Sequence, residues 1–275
     1  MDKLDIKETT YRVNVADNVQ VDLRVTERGD GKPFLLLHGG AGPVSFSRFA
    51  DLFAHHYSVR VICPTHPGFA RTPRPETLNS VRSLAQLYAA FLNELQVSDV
   101  TVMGNSIGGW IACELALLAP PQVGRIILVD AVGIEVPGHP VADVSKLSPD
   151  QLMSLSYHDP KPFRIDPTSM TDDQRAIIAS NRAALGTYAG PQGVDSTLAG
   201  RLSKITLPAL VVWGDSDRIV DAEYGRAFAS SIPGAKFLLL SNTGHVPQIE
   251  TPQLLMESIW DYGDEASIEA TGRPS

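Results

Sequence analysis

The chain opens on two alternating segments. Tyr11-Arg12-Val13-Asn14-Val15 and Val19-Gln20-Val21-Asp22-Leu23-Arg24-Val25 send apolar and polar residues to opposite sides with period two, the pattern of a half-buried strand. Asp17-Asn18 between them carries turn chemistry, so the pair predicts an antiparallel hairpin. Later segments read differently. Residues 34–37, 59–63, 100–103, 126–129, 209–213 and 236–240 are nearly continuous apolar runs, which fit parallel strands covered on both faces. Helical periodicity lies between them at 46–55, 80–95, 107–118, 221–231 and 252–262. This alternation predicts an α/β architecture, a mostly parallel sheet with helices on both faces.

One stretch interrupts the alternation. From 134 to 204 no buried-strand run occurs. Pro137-Gly138-His139-Pro140 starts it as a loop. Ser148 precedes a helix expected through Tyr157, and Thr171-Asp172-Asp173-Gln174 starts another expected to run to Tyr188. The expected organisation is a core formed by 1–133 and 205–275, with 134–204 inserted as a helical cap. The tail after Gly263 has little to bury and is expected to fray.

Composition narrows the partners. Lys and Arg total 23 against 31 Asp and Glu, a formal net charge of -8. An acidic chain lacks the basic footprint that nucleic acid requires, so nucleic acid is not an expected partner; a small-molecule substrate is expected from the motifs described next. No apolar run approaches the ~18 residues of a membrane span. Met1-Asp2-Lys3-Leu4-Asp5 has no apolar leader character, and Cys63 and Cys113 are too few for a disulfide scaffold. Those features set the expectation of a cytoplasmic protein with free thiols and no membrane association. Oligomeric state leaves no mark in the sequence.

The chemistry gathers at the ends of the apolar runs. Gly104-Asn105-Ser106-Ile107-Gly108 lies between the strand at 100–103 and the helix at 107–118. This is a G-x-S-x-G motif in the strand–turn–helix setting that lifts a serine Oγ above a sheet. Glycines on either side relieve the crowding of so sharp a turn. His38-Gly39-Gly40-Ala41-Gly42 follows the strand at 34–37. A backbone N–H near Gly40, with that of Ile107, would make a two-donor oxyanion hole. A serine nucleophile needs a base held by an acid. Gly214-Asp215-Ser216-Asp217 and Asn242-Thr243-Gly244-His245 each follow a strand, at the sheet edge where open α/β folds place ligands. Asp215 and Asp217 both compete for the acid, and Asp130, after the strand at 126–129, is a third candidate.

These segments together resemble the α/β-hydrolase fold family, over about residues 10–262. The resemblance implies Ser106 as nucleophile, His245 as base and Asp217 as acid, with Gly40 and Ile107 lending oxyanion N–H groups. It implies neither a metal nor an organic cofactor. Serine at 106 is similar to esterases, lipases, lactonases and carbon–carbon hydrolases, and departs from family members that carry Asp there. The elbow and the His38-Gly39-Gly40 turn are also similar to meta-cleavage-product hydrolases. Two features differ from that group. His38-Gly39-Gly40-Ala41-Gly42-Pro43 stands where H-G-G-G-P-G is usual, and Val246 stands where Trp usually follows the histidine. The expected activity is hydrolysis of a small carboxylic ester through an acyl-enzyme. Carbon–carbon hydrolysis is the alternative enzyme reading, and a ligand receptor or cofactor-free dioxygenase is the alternative from other classes.

Phe46, Asn105, Leu152, Met153, Tyr157 and Val246 are the candidate pocket residues, and Leu155 and Phe163 extend that set. Each could instead serve packing. Arg164, Arg175 and Arg182 are candidates for a substrate carboxylate, with a solvated helix face as the plainer role. His38 and His66 read as loop-shaping histidines. Trp110 and Cys113 fall on the buried side of the helix after Ser106. His55, His56, His139 and His158 lack metal-ligand spacing.

Overall fold

The computed structural model describes residues 5–15, 19–164, 166–190 and 192–271 of the 275-residue chain. Asp17-Asn18, the expected turn, lies outside the described residues. The strands are β1 (Lys7–Val15), β2 (Val19–Arg28), β3 (Lys32–Leu37), β4 (Val59–Pro64), β5 (Val100–Asn105), β6 (Val123–Val129), β7 (Ala209–Gly214) and β8 (Lys236–Leu240). They form one sheet in the order β1-β2-β4-β3-β5-β6-β7-β8. β1 pairs antiparallel with β2, and β2 with β4. All pairs from β4 to β8 are parallel. The fold class read from the sequence is the one observed.

The alternating and continuous patterns part for a physical reason. In β2 the alternate residues Val21, Leu23 and Val25 are buried while Gln20, Asp22 and Arg24 are exposed, because only one face of this edge is covered. In β3 successive residues are all buried but enter opposite layers. Leu35 and Leu37 join one core, Phe34 and Leu36 the other. The first layer is closed by α2 (Val81–Leu95), α3 (Ile107–Leu117) and α7 (Ala222–Ser230). The second is closed by α1 (Val44–His56) and α9 (Pro252–Thr271). There Phe34 meets Phe53 edge-on at 4.9 Å. Burying each such ring is worth about 1.5–3 kcal/mol. Cys63 and Cys113 are buried, unbridged thiols, one in each layer.

The inserted stretch contains α4 (Pro149–Ser156), α5 (Asp172–Ala189) and the short α6 (Leu198–Leu202), which the apolar pattern did not mark. Both predicted starts carry reciprocal caps. Ser148 Oγ accepts from Gln151 N–H while Gln151 reaches back to Ser148 N–H, and Thr171 and Gln174 do the same. The completed structure corrects the tail. α9 continues past Gly263 to Thr271. Good helix formers, Glu265, Ala266, Glu269 and Ala270, follow that glycine, and extending an existing helix adds one hydrogen bond per residue fixed. Among the described residues no helix is long and apolar enough to cross a membrane.

Candidate active site

Ser106 occupies the tight turn between β5 and α3, with φ 58 and ψ −122. A side-chain-bearing residue with positive φ costs energy, so the surroundings must hold it there. They do. Ser106 N–H donates to Val129 O at 3.0 Å, and Ser106 O accepts from Gly109 N–H at 2.9 Å. The flanking glycines are obligatory by contact. A Cβ on Gly104 would lie 2.0 Å from Gly108 O, and one on Gly108 would lie 2.0 Å from Leu37 O. Ile107 opens α3, so its N–H has no intrahelical acceptor and belongs to the positive end of the helix.

The turn after β3 abuts this elbow. A Cβ on Gly39 would lie 3.2 Å from Ser106 Cβ. Gly40, half-buried, faces Leu185 of α5. The turn is shaped by two packed histidines, His38 and His66, whose ring centres are 3.7 Å apart with their planes tilted by 33°. His66 N–H donates to His38 Nε2 at 3.1 Å. The His38 proton therefore sits on Nδ1, which donates to Gly39 O at 2.9 Å. His66 Nε2 donates to His38 O at 2.9 Å, and its Nδ1 accepts from Tyr88 OH. Both rings are neutral. Burial drives His38 well below the ordinary histidine value, and drives His66 down to about 4.

His245 and Asp217 meet in the loops after β8 and β7. His245 Nδ1 donates to Asp217 Oδ2 at 2.7 Å, and both side chains are buried. Asp217 Oδ1 accepts from the Ile219 and Val220 N–H groups at 2.8 and 3.2 Å. Asp215 instead faces outward and accepts from Ser216 Oγ at 2.8 Å. Asp130, with φ 46 directly after β6, is fully buried beside the pair. Burial, and then the Asp217 carboxylate, push its carboxyl well above the usual range. One side-chain oxygen or nitrogen atom each from Asp130, Asp217 and His245 lie within 4.8 Å of one another.

The elbow and the histidine loop are joined through Asn105. Its Nδ2 donates to His245 O at 2.9 Å and to Val129 O at 3.2 Å, and its Oδ1 accepts from Gln248 Nε2 at 3.0 Å. The structure draws no hydrogen bond from Ser106 Oγ to His245 Nε2. Asn105, 2% exposed, therefore acts as an internal tie. Sequence reading marked it only as a pocket candidate and did not mark Gln248.

The inserted helices dock on the same loops. Ser156 O, at the end of α4, accepts from His245 N–H at 2.8 Å, and a Cβ on Gly244 would lie 2.3 Å from that oxygen. Arg218 Nη1 donates to Ser154 O at 2.8 Å. On the other side, Asn181 of α5 donates to Ala41 O at 3.0 Å and accepts from Ala70 N–H at 2.7 Å. Ser180 Oγ donates to Gly68 O at 2.7 Å, and Tyr188 OH donates to Pro67 O at 2.8 Å. Asn181 was not marked from sequence. Its signal was its place with Ala184 and Tyr188 on the buried stripe of α5, a polar residue among apolar ones.

The remaining candidates separate by burial. Leu152, Met153 and Leu155 on or beside α4 are half-buried. Tyr157 stacks on Phe163 at 4.8 Å. Val246 is buried next to His245. Phe46 lies in the core layer of α1, 1% exposed, against Phe49. Arg164, Arg175 and Arg182 are all exposed. Trp110 and Cys113 are core residues. His139 pairs with Asp221 at 2.7 Å, and His158 Nδ1 lies 2.8 Å from Ser216 Oγ.

Residues 34–257 match the profile of a family described as Alpha/beta hydrolase family. The chain is 30% identical over 237 residues to Lipase 3 of Moraxella sp., covering 80% of this chain and 73% of that one. It is 27% identical over 279 residues to the 2-hydroxy-6-oxononadienedioate/2-hydroxy-6-oxononatrienedioate hydrolase of Paraburkholderia phymatum, covering 92% of this chain and 95% of the relative. Among solved structures, a thermophilic esterase from Thermogutta terrifontis superposes with a TM-score of 0.74 at 20% identity, covering 94% and 98% of the two chains.

Proposed function

The chain belongs to the α/β-hydrolase family, and from that membership we propose that it is a serine hydrolase of small carboxylic esters, with Ser106 as nucleophile, His245 as base and Asp217 as acid. The observation that carries the reading is the buried His245–Asp217 pair at 2.7 Å, whose histidine loop is tied to Asn105, the residue next to Ser106. The fixed Nδ1–H leaves Nε2 as the lone-pair nitrogen, the tautomer a general base requires. His245 takes the Ser106 proton as Oγ attacks the ester carbonyl, a contribution of about 10²–10⁴ in rate. Asp217 orients the ring and stabilises the cation that forms. The N–H groups of Ile107 and Gly40 receive the oxyanion. His245 returns the proton to the leaving alkoxide, and water then releases the acyl group by the same route reversed. Ser106 Oγ must swing to His245 Nε2 when substrate enters; such bonds are often loose in free enzymes.

Residues 134–204 serve in this reading as a cap over the site, excluding water and selecting substrate. Half-buried Leu152, Met153 and Tyr157 give its underside an apolar character that suits an acyl or aryl chain. The test is turnover of a short-chain p-nitrophenyl ester by wild type and Ser106→Ala. A folded Ser106→Ala protein should lose activity by at least about 10³-fold. Wild-type turnover in that variant would overturn the assignment.

One observation keeps a second reading alive. The dienedioate hydrolase relative aligns over more of both chains than the lipase does. Carbon–carbon hydrolysis of a 2-hydroxy-6-oxo dienoate would need a cation for the acid group. Arg164, Arg175 and Arg182 are all exposed, which favours the ester. Assaying a coloured ring-fission dienoate beside the ester separates the two.

A further inference from the structure

A third buried carboxyl stands beside the His245–Asp217 pair, and the proposed reaction makes no use of it. Asp130 is fully buried, and its Oδ1 accepts from Gly214 N–H at 2.8 Å. Its Oδ2 is equally inaccessible and has no hydrogen-bond partner. Asp217 is better supported, with two backbone N–H groups on Oδ1 and His245 on Oδ2. A buried carboxylate oxygen left without a donor is costly, and two neighbouring buried carboxylates repel. One proton shared by the two removes both problems. It belongs on the acid with fewer donors, and on the oxygen that has none. The Asp217 carboxylate is the neighbouring acceptor.

The charged groups around Asp130 agree. Asp217 follows β7, His245 follows β8, and Glu250 lies on α8 (Pro247–Glu250). Asp217 and Glu250 both act on Asp130 with negative charge. Glu250 is itself held by Gly244 N–H at 2.7 Å and Asp159 N–H at 3.0 Å.

We propose that Asp130 is a positioning residue that carries the proton of an Asp130–Asp217 pair on Oδ2 and donates it as a hydrogen bond to Asp217, keeping that carboxylate aimed at His245 Nδ1. This rests on the assignment of Asp217 as the acid. The reaction then runs with one negative charge behind His245 instead of two. A second buried charge there would repel the Asp217 carboxylate that orients the ring.

Infrared difference spectroscopy of wild type against Asp130→Asn at pH 8 tests the proton directly. A deuterium-sensitive band of a protonated carboxylic acid should be present in wild type and absent from Asp130→Asn. It should shift in frequency in Asp217→Asn, where the acceptor of its hydrogen bond changes from a carboxylate to an amide. This arm needs no turnover, so it succeeds or fails independently of Ser106→Ala. No such band in wild type at pH 8 overturns the proposal. The kinetic arm compares Asp130→Leu with Asp130→Asn. Leu should lower kcat by about 10–100-fold with little change in KM, the worth of one hydrogen bond to a charged group. Asn, whose Nδ2 still donates to Asp217, should recover most of that loss and keep the acid limb of the pH–rate profile in place. If Asp130 were ionised, Asn would move that limb down by about one pH unit, and the proposal would fall.

Discussion

Asn105 offers a test in which shape and electrostatics give opposite answers. Its side chain is 2% exposed and makes three hydrogen bonds: two donated to carbonyls and one accepted from Gln248. Asn105→Ala removes all three. Val129 O keeps its bond from Ser106 N–H, so the groups left without the Asn105 bond are His245 O and Gln248 Nε2. At about 1–3 kcal/mol for each unsatisfied buried group, and with water entering the vacated space, the cost is about 3 kcal/mol. Unfolding entropy near 60 °C is about 2.1 cal/mol/K per residue, so for 275 residues that loss lowers Tm by about 5 °C. Asn105→Asp preserves the shape and so should be the gentler change on steric grounds. Its carboxylate would instead point acceptors at the His245 and Val129 carbonyls and add a charge near Asp130 and Asp217. It should therefore be worse than Ala at pH 8. The folded-state pKa of such a carboxyl is raised, so the deficit should shrink as pH falls and the protonated acid regains a donor. The assay is thermal unfolding of the three proteins between pH 5 and 8, with ester turnover alongside. An Asp variant as stable as wild type at pH 8 would refute the role given to the Nδ2 donor.

The neutral, packed His38–His66 pair makes stability fall in acid. The folded pKa of His66, about 4, lies below the ~6.5 of an unfolded histidine. Stability is therefore complete above about pH 6.5 and lost on going down to about pH 4, roughly 3 kcal/mol in all for this residue. Denaturant titrations across that range should show the decline, and His66→Gln should flatten it; parallel slopes would count against the neutral pair. Two glycines should respond in opposite ways to alanine. Gly108→Ala puts Cβ 2.0 Å from Leu37 O and should yield no folded protein, whereas Gly186, within α5, has nothing within 4 Å of its Cβ position. Gly186→Ala should therefore gain about 0.5–1 kcal/mol by helix propensity, read by chemical denaturation.

The residues that sequence made legible are those whose cause is local. Continuous apolar runs marked the doubly covered strands because both sheet faces are buried. Ser148 and Thr171 marked helix starts because a cap is satisfied within four residues. The G-x-S-x-G spacing marked the elbow because its crowding arises between near neighbours. What escaped depends on contacts across the chain. The packing of His38 against His66, the docking of Asn181 and the tie through Asn105 and Gln248 each bring distant residues together. Local pattern cannot carry those meetings. Asp130 sits between the two cases: its place after a strand was visible, but its unpartnered oxygen required the neighbouring loop to be in position.

The docking of α5 bears on how this protein could diversify. Ser180, Asn181 and Tyr188 hold the backbone of 41, 67, 68, 70 and 71 in shape, so the helix that would choose a substrate also braces the turn that would stabilise its transition state. On the proposed function, selectivity and rate would thereby be soldered into one part. A chimaera that imported the inserted region from a relative would trade away catalytic precision along with preference, unless it brought the matching loops as well.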